Sequence, residues 1–142
     1  MNATMEKFGY PATLLRELEH WVILLRPAQV TLGSLVLAAK GDATAYSALP
    51  PAAFAEQGAA VGLIERGLAA FVEYEKINYL MLMMVDPNPH FHVIPRYSQP
   101  RRWGGLDFPD AGWPSAPQLG AAIALDDDQI ARLRHDLSDN FR

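Results

Sequence analysis

The chain has no cysteine. That absence excludes a disulfide framework, a thiolate nucleophile and any sulfur-liganded zinc site. Basic tracts are missing too: 12 Lys and Arg are scattered among 16 Asp and Glu, for a net charge of −4. Such a balance repels a polyanion, so no nucleic-acid partner is expected, although the cluster Arg96, Arg101 and Arg102 can still hold a single phosphate group. Long apolar runs are also absent. Trp21–Leu25 falls far short of the ~20 residues a membrane helix needs, and Met1–Tyr10 lacks the apolar centre of a secretion signal. The expectation is a soluble, cytoplasmic protein with no membrane partner.

What remains suits a single domain over 1–142, with a core at about 12–97 and a C-terminal arm and helix over 98–142. Of the 142 residues, 50% are hydrophobic and 20% charged, enough for one compact core that buries roughly two-thirds of the unfolded surface. Ala12–Glu19 behind Pro11 predicts a short N-terminal helix, Trp21–Arg26 a strand, and Ser34–Ala39 its antiparallel partner across a turn punctuated by Gly33. From Pro51 to about Tyr74 the period becomes helical, with Phe54, Val61, Ile64, Leu68 and Phe71 on one face. Gly58, Gly62 and Gly67 in this helix predict close packing on a sheet. Lys76–Val85 predicts a long central strand whose Met81, Met83 and Met84 fill core, joined to the next strand by a short link as one hairpin. Residues 98–122 read as an ordered arm bearing Trp103, Phe108 and Trp113, expected near a cleft mouth or across a dimer contact. Asp126-Asp-Asp-Gln129 predicts the capping box of a terminal helix through Ile130, Leu133 and Leu137.

The chemistry concentrates in Asn88-Pro-His-Phe-His-Val-Ile-Pro-Arg-Tyr97. Alternation along a strand puts His90 and His92 on one face, about 6.5–7 Å apart, with Phe91 and Val93 on the other. Taken alone, the pair has three readings: a metal site, a catalytic pair, or partly buried structural histidines. A metal site needs a third ligand from Asp86, His20, His135 or a distant carboxylate, and no ligand spacing supplies one. His20 reads as a surface residue, and His135 as part of the solvated face of the terminal helix.

The same string resembles the signature of the histidine triad (HIT) superfamily, His-x-His-x-His followed by two apolar residues and often Pro-Arg. The order of elements over Trp21–Tyr97 agrees with it. The resemblance implies an α+β fold built on an antiparallel sheet with one long helix, a short N-terminal helix and a C-terminal helix. It also implies a homodimer that hydrolyses or transfers nucleotides through a nucleotidyl-histidine intermediate, acting on a phosphoanhydride or a phosphoramidate. No cofactor is required, though a divalent cation can accompany the substrate phosphates. His90 then corresponds to the nucleophile and His92 to the donor toward the phosphate or leaving group. The first triad position holds Asn88, whose amide can meet a phosphate or simply make a turn, but cannot relay a proton. The glycine-rich, Gln-bearing stretch of many relatives is replaced by KINYLMLMMVD. Asn78, Arg26 and Arg96 are the further candidates for substrate contacts, with Gln29 a weaker one; each has a structural alternative as a buried polar group or surface ion pair. Two other functions stay open: a nucleotide-binding or regulatory protein without turnover, and a metal-dependent hydrolase using the His-x-His pair.

Overall fold

The computed structural model describes every residue from Met1 to Arg142. Its helices are α1 (Ala3–Lys7), α2 (Pro51–Val72) and α3 (Asp127–Ser138). Its strands are β1 (Leu14–Glu17), β2 (Trp21–Leu25), β3 (Ala28–Gln29), β4 (Leu35–Ala39), β5 (Lys76–Leu80), β6 (His90–Arg96), β7 (Arg101–Trp103), β8 (Leu106–Phe108) and β9 (Ile123–Ala124). Five of them form an antiparallel sheet in the order β1-β2-β4-β6-β5. The fold is α+β, and none of its helices is long and apolar enough to cross a membrane.

Strands β2 and β4 are buried along their whole length, which is why they read as continuous apolar runs: both faces of the sheet are covered. On one face Trp21, Ile23, Leu25, Leu35, Leu37, Val93 and Tyr97 pack against α2 and α3. On the other, Val22, Leu24, Val36 and Ala38 pack against Met5 and Phe8 of the N-terminal segment. Helix α2 meets the core through Ala53, Ala60, Ile64, Gly67, Leu68 and Val72. Ile64 and Leu68 lie where the helical period puts them, but Phe54 is exposed and stacks on Tyr46 instead. Small residues at the contact let the helix axis approach closely, and they carry little weight in a reading of large apolar side chains. Of the three α2 glycines, only Gly67 is crowded by another element, the C-terminal turn: an added Cβ would lie 2.8 Å from the Phe141 ring.

Two element expectations are corrected. Ala12–Glu19 is no helix; Leu14–Glu17 pairs with β2 as a bulged edge strand, and the short N-terminal helix lies earlier, capped by the Asn2 side chain. Cross-strand pairing overrides helix propensity in so short a segment. The long central strand is also wrong, because β5 stops at Leu80 and lies at the sheet edge. The link to β6 runs over 81–89, with Met84 and Val85 each more than four-fifths exposed, so these methionines do not fill core. The β5–β6 hairpin itself is present, in antiparallel register from Lys76↔Arg96 to Leu80↔His92.

The C-terminal arm folds onto its own chain. Its β7–β8 hairpin turns on Gly104 and Gly105, both with positive φ, the backbone a tight two-residue hairpin requires. Phe108 is buried, and Trp103 donates from Nε1 to Asp136 of α3 at 2.9 Å. The capping box at Asp126 and Gln129 is formed as the sequence predicts, and Leu133 and Leu137 are in the core.

Candidate functional site

His90 and His92 project together from the sheet face opposite α2. In β6, His90 stands opposite Ala38 and His92 opposite Val36 of β4, and the two ring centroids are 5.2 Å apart. The Nδ1 of His90 lies 2.8 Å from the Asn88 carbonyl oxygen. A carbonyl only accepts, so His90 carries its proton on Nδ1 and keeps a lone pair on Nε2. The Arg26 Nε–H is directed at His92 Nδ1 over 3.4 Å. A guanidinium only donates, so His92 has the opposite tautomer, with the proton on Nε2. One ring thus offers a nucleophilic nitrogen and its neighbour an N–H donor.

Burial pushes the His92 pKa down to about 4, with the Arg26 charge and His90 acting in the same direction and Asp86 opposing them. His92 is therefore neutral throughout the physiological range. The unfolded chain has an ordinary imidazole near 6.5, so this contribution to stability is fully present above pH 6.5 and is lost as pH falls toward 4. With solvent reaching the pocket, the loss is expected to be about 2 kcal/mol. Denaturant melts at pH 7 and pH 4 should show this decrease, and His92→Gln should remove most of the pH-dependent part.

A pocket of about 280 Å³ opens beside the two rings, lined by Lys7, Phe8, Arg26, residues 82–86, His90 and His92. Phe8 was not legible as a site residue, since nothing in Met1–Tyr10 predicts where that segment packs. Its ring lies 5.8 Å from His90 and 5.7 Å from His92, centroid to centroid. His90 is only 2% exposed as a result.

The other candidates divide. Arg26 belongs to the pocket, half-buried, with one Nη donating to the Ala28 carbonyl. Asn88 sits beside it, but its side chain is committed: Nδ2 donates to Ala43 O at 3.0 Å, Oδ1 accepts from Thr4 N at 3.2 Å, and its backbone N–H donates to Thr4 Oγ1. Gln29 is buried and closes the turn between β2 and β4, donating to Arg26 O and Ser34 O and accepting from Gly33 N. Asn78 and Arg96 are not brought to the histidines. Arg96, at the far end of β6, makes a bidentate pair with Asp110 at 2.7 and 3.0 Å and donates to Asn78 Oδ1 and Ser115 O. They line a separate cavity of about 440 Å³ with Lys76 and Trp113, so the arm lies by Arg96 and away from the histidine cleft. Arg101 and Arg102 do not join Arg96 either: the first donates to Val72 O and Glu73 O, the second to Asp107. His20 is half-buried near Glu19, and His135 is exposed on α3. No group of three or more His, Asp and Glu side chains is placed to share one metal ion, so His90 and His92 gain no third ligand.

No family model matches the chain, and no curated protein sequence matches it. Solved structures do. The chain is similar to a histidine triad protein from Bradyrhizobium japonicum at 19% identity and TM-score 0.74, over 100% of this chain and 97% of that one. It is similar to a histidine triad (HIT) protein from Sinorhizobium meliloti at 22% identity and TM-score 0.72, over 99% and 95%. A histidine triad protein from Marinobacter aquaeolei matches at 18% identity and TM-score 0.68, over 96% and 93%. The likeness extends over whole chains, and with the His-x-His pair on an inner strand of a five-stranded antiparallel sheet, the chain has the fold of the histidine triad superfamily.

Proposed function

We propose that this chain is a nucleotide hydrolase or transferase of the histidine triad type, with His90 as its nucleophile. The observation that carries the reading is the pair of hydrogen bonds at the two Nδ1 atoms, from which opposed tautomers follow: a free Nε2 on His90 and an Nε2–H on His92. The His90 Nε2 attacks the α-phosphorus, an N–P bond forms, and the bond to the leaving group breaks with its electron pair going to that group. His92 donates a hydrogen bond to a phosphoryl oxygen, and the Arg26 guanidinium meets the phosphate charge. Water then attacks phosphorus, the N–P bond breaks, and the electron pair returns to His90 while the water proton passes to solvent buffer. Asn88 has no proton to relay, and His92 held in this tautomer gives a hydrogen bond without giving up its proton. The reading therefore favours a phosphoanhydride, whose phosphate departs as an anion, over a phosphoramidate, whose amine must gain a proton. No cofactor enters these steps; a divalent cation would act with the substrate phosphates.

Incubation with nucleoside polyphosphates, followed by intact-mass analysis at neutral to basic pH, tests this. A mass gain of one nucleotidyl group on the peptide bearing His90 is the expected result. Nucleotide binding without adduct or product would replace the reading with that of a binding protein, which the deep burial of His90 would then explain.

We further propose a homodimer in solution. The outer edge of β5 is unpaired within the sheet, and exposed Leu82, Met84 and Val85 follow it directly. A free strand edge continued by apolar surface is a template for a second copy. Light scattering at micromolar concentration should give about twice the 15.7 kDa chain mass, and a monomer mass would refute it.

A further inference from the structure

We propose that Phe8 sets the size of the leaving group, so that the site takes nucleoside 5′-phosphates joined to a small acidic group and discriminates against dinucleoside polyphosphates. This inference rests on the nucleotide reading above. For in-line attack the α-phosphorus must reach His90 Nε2 with the leaving group on the far side, and Phe8, 5.8 and 5.7 Å from the two imidazoles, forms part of the wall of the pocket they share. The remaining pocket is about 280 Å³, slightly below the ~300–1,000 Å³ typical for a drug-sized ligand. A volume of that size suits one nucleotide portion, and with Phe8 in its wall the pocket offers no second compartment of its own for the nucleoside of a larger leaving group.

Phe8 is held in place by the residue that departs from the triad pattern. Asn88 accepts from Thr4 N through Oδ1 and donates its backbone N–H to Thr4 Oγ1, a reciprocal pair that clasps α1. Asn2 adds bonds from Nδ2 to Ala39 O and Gly41 O at 2.8 Å each. Met5, one turn before Phe8, is 2% exposed against the same face. Asn88 thus acts as a fastening for the N-terminal segment, and through it Phe8 narrows the site. The specificity follows from a steric wall that excludes the wrong substrate rather than from a new contact to the right one.

Two readouts test this on the full chain. Carbethoxylation by diethyl pyrocarbonate, mapped by peptide mass, reports imidazole access without any nucleotide: His90 should react at least about tenfold more slowly than His20 and His135, as its burial implies. Phe8→Ala should release it, and Thr4→Val, which removes one clasping bond and keeps the apolar packing, should shift it the same way if Phe8→Ala fails to fold. The second readout compares ATP with diadenosine triphosphate, which differ by one terminal adenosine. The native chain should prefer ATP in kcat/KM by about tenfold or more, and Phe8→Ala should narrow that ratio by gaining on the dinucleotide. A His90 that labels as fast as His20 in the native chain, or a ratio unmoved by Phe8→Ala, would overturn the role of Phe8. Slow labelling released by Phe8→Ala, with neither nucleotide bound or turned over, would instead overturn the nucleotide reading and the leaving-group assignment with it.

Discussion

His90→Ala is expected to leave no nucleotidyl adduct and no turnover above background, whereas His92→Ala should lower kcat by about 10²–10³ and still form adduct. The difference follows from what each ring does. In the proposed reaction His90 would supply the electron pair that makes the N–P bond, and alanine deletes that path. His92 would supply one hydrogen bond to developing phosphoryl charge, and loss of one such donor costs about 2.7–4 kcal/mol. Arg26→Gln should fall on the His92 side of this divide, because it loosens the His92 tautomer and removes a cation while leaving the nucleophile intact. Both alanine variants lose a buried contact with Phe8, so circular dichroism melts must accompany the kinetics. Equal loss in the two variants, both folded, would contradict separate roles.

The largest stability effect is expected far from the histidines. The side chains of Arg96 and Asp110 are 4% and 1% exposed, paired at 2.7 Å. Removing one partner of a buried pair costs about 3–5 kcal/mol because the other is left charged without compensation. Arg96→Met would strand the Asp110 carboxylate with only the Tyr97 N–H at 3.3 Å, and would leave Asn78 Oδ1 and Ser115 O without their donor. For a domain of this size that corresponds to a fall in Tm of roughly 10–20 °C. The double variant Arg96→Met with Asp110→Leu should recover part of the loss, since no unpaired charge remains. Calorimetry of the two singles and the double forms the cycle, and additive effects would show that the pair does not act as a unit. Turnover at His90, measured well below the melting range, should change little, because this cluster holds the arm and lines a different cavity.

This cluster also shows how far residue type can carry a functional reading. Arg96 and Asn78 were reasonable phosphate ligands as long as their neighbours were unknown, since a guanidinium fork and an amide suit an anion. Their partner Asp110 lies 14 residues beyond Arg96, in a stretch with no period, and no local pattern announces that pairing. Gln29 and Asn88 went the same way: each amide is spent on backbone groups brought near only by the folded turn or by α1. A polar side chain has a fixed bonding capacity, and sequence shows the capacity but not how it is spent.

Local periodicity and end chemistry determined the elements that do not depend on distant partners. The capping box of α3, the proline start and long run of α2, the apolar strands β2 and β4, and the shared face of His90 and His92 all follow from spacing within a few residues. Strand alternation alone forces the two imidazoles together, and the β5–β6 hairpin forces their strand into the sheet. Tertiary structure decided the rest. It made Leu14–Glu17 a strand by offering it a partner, sent β5 to the edge and left Met84, in the link beyond it, in solvent, and laid α1 over the histidine face. Those outcomes turn on which surfaces remain uncovered once the sheet has formed, a long-range property of the packed chain that is absent from any window of its sequence. The pocket beside His90, and the Phe8 ring that narrows it, exist only at that level.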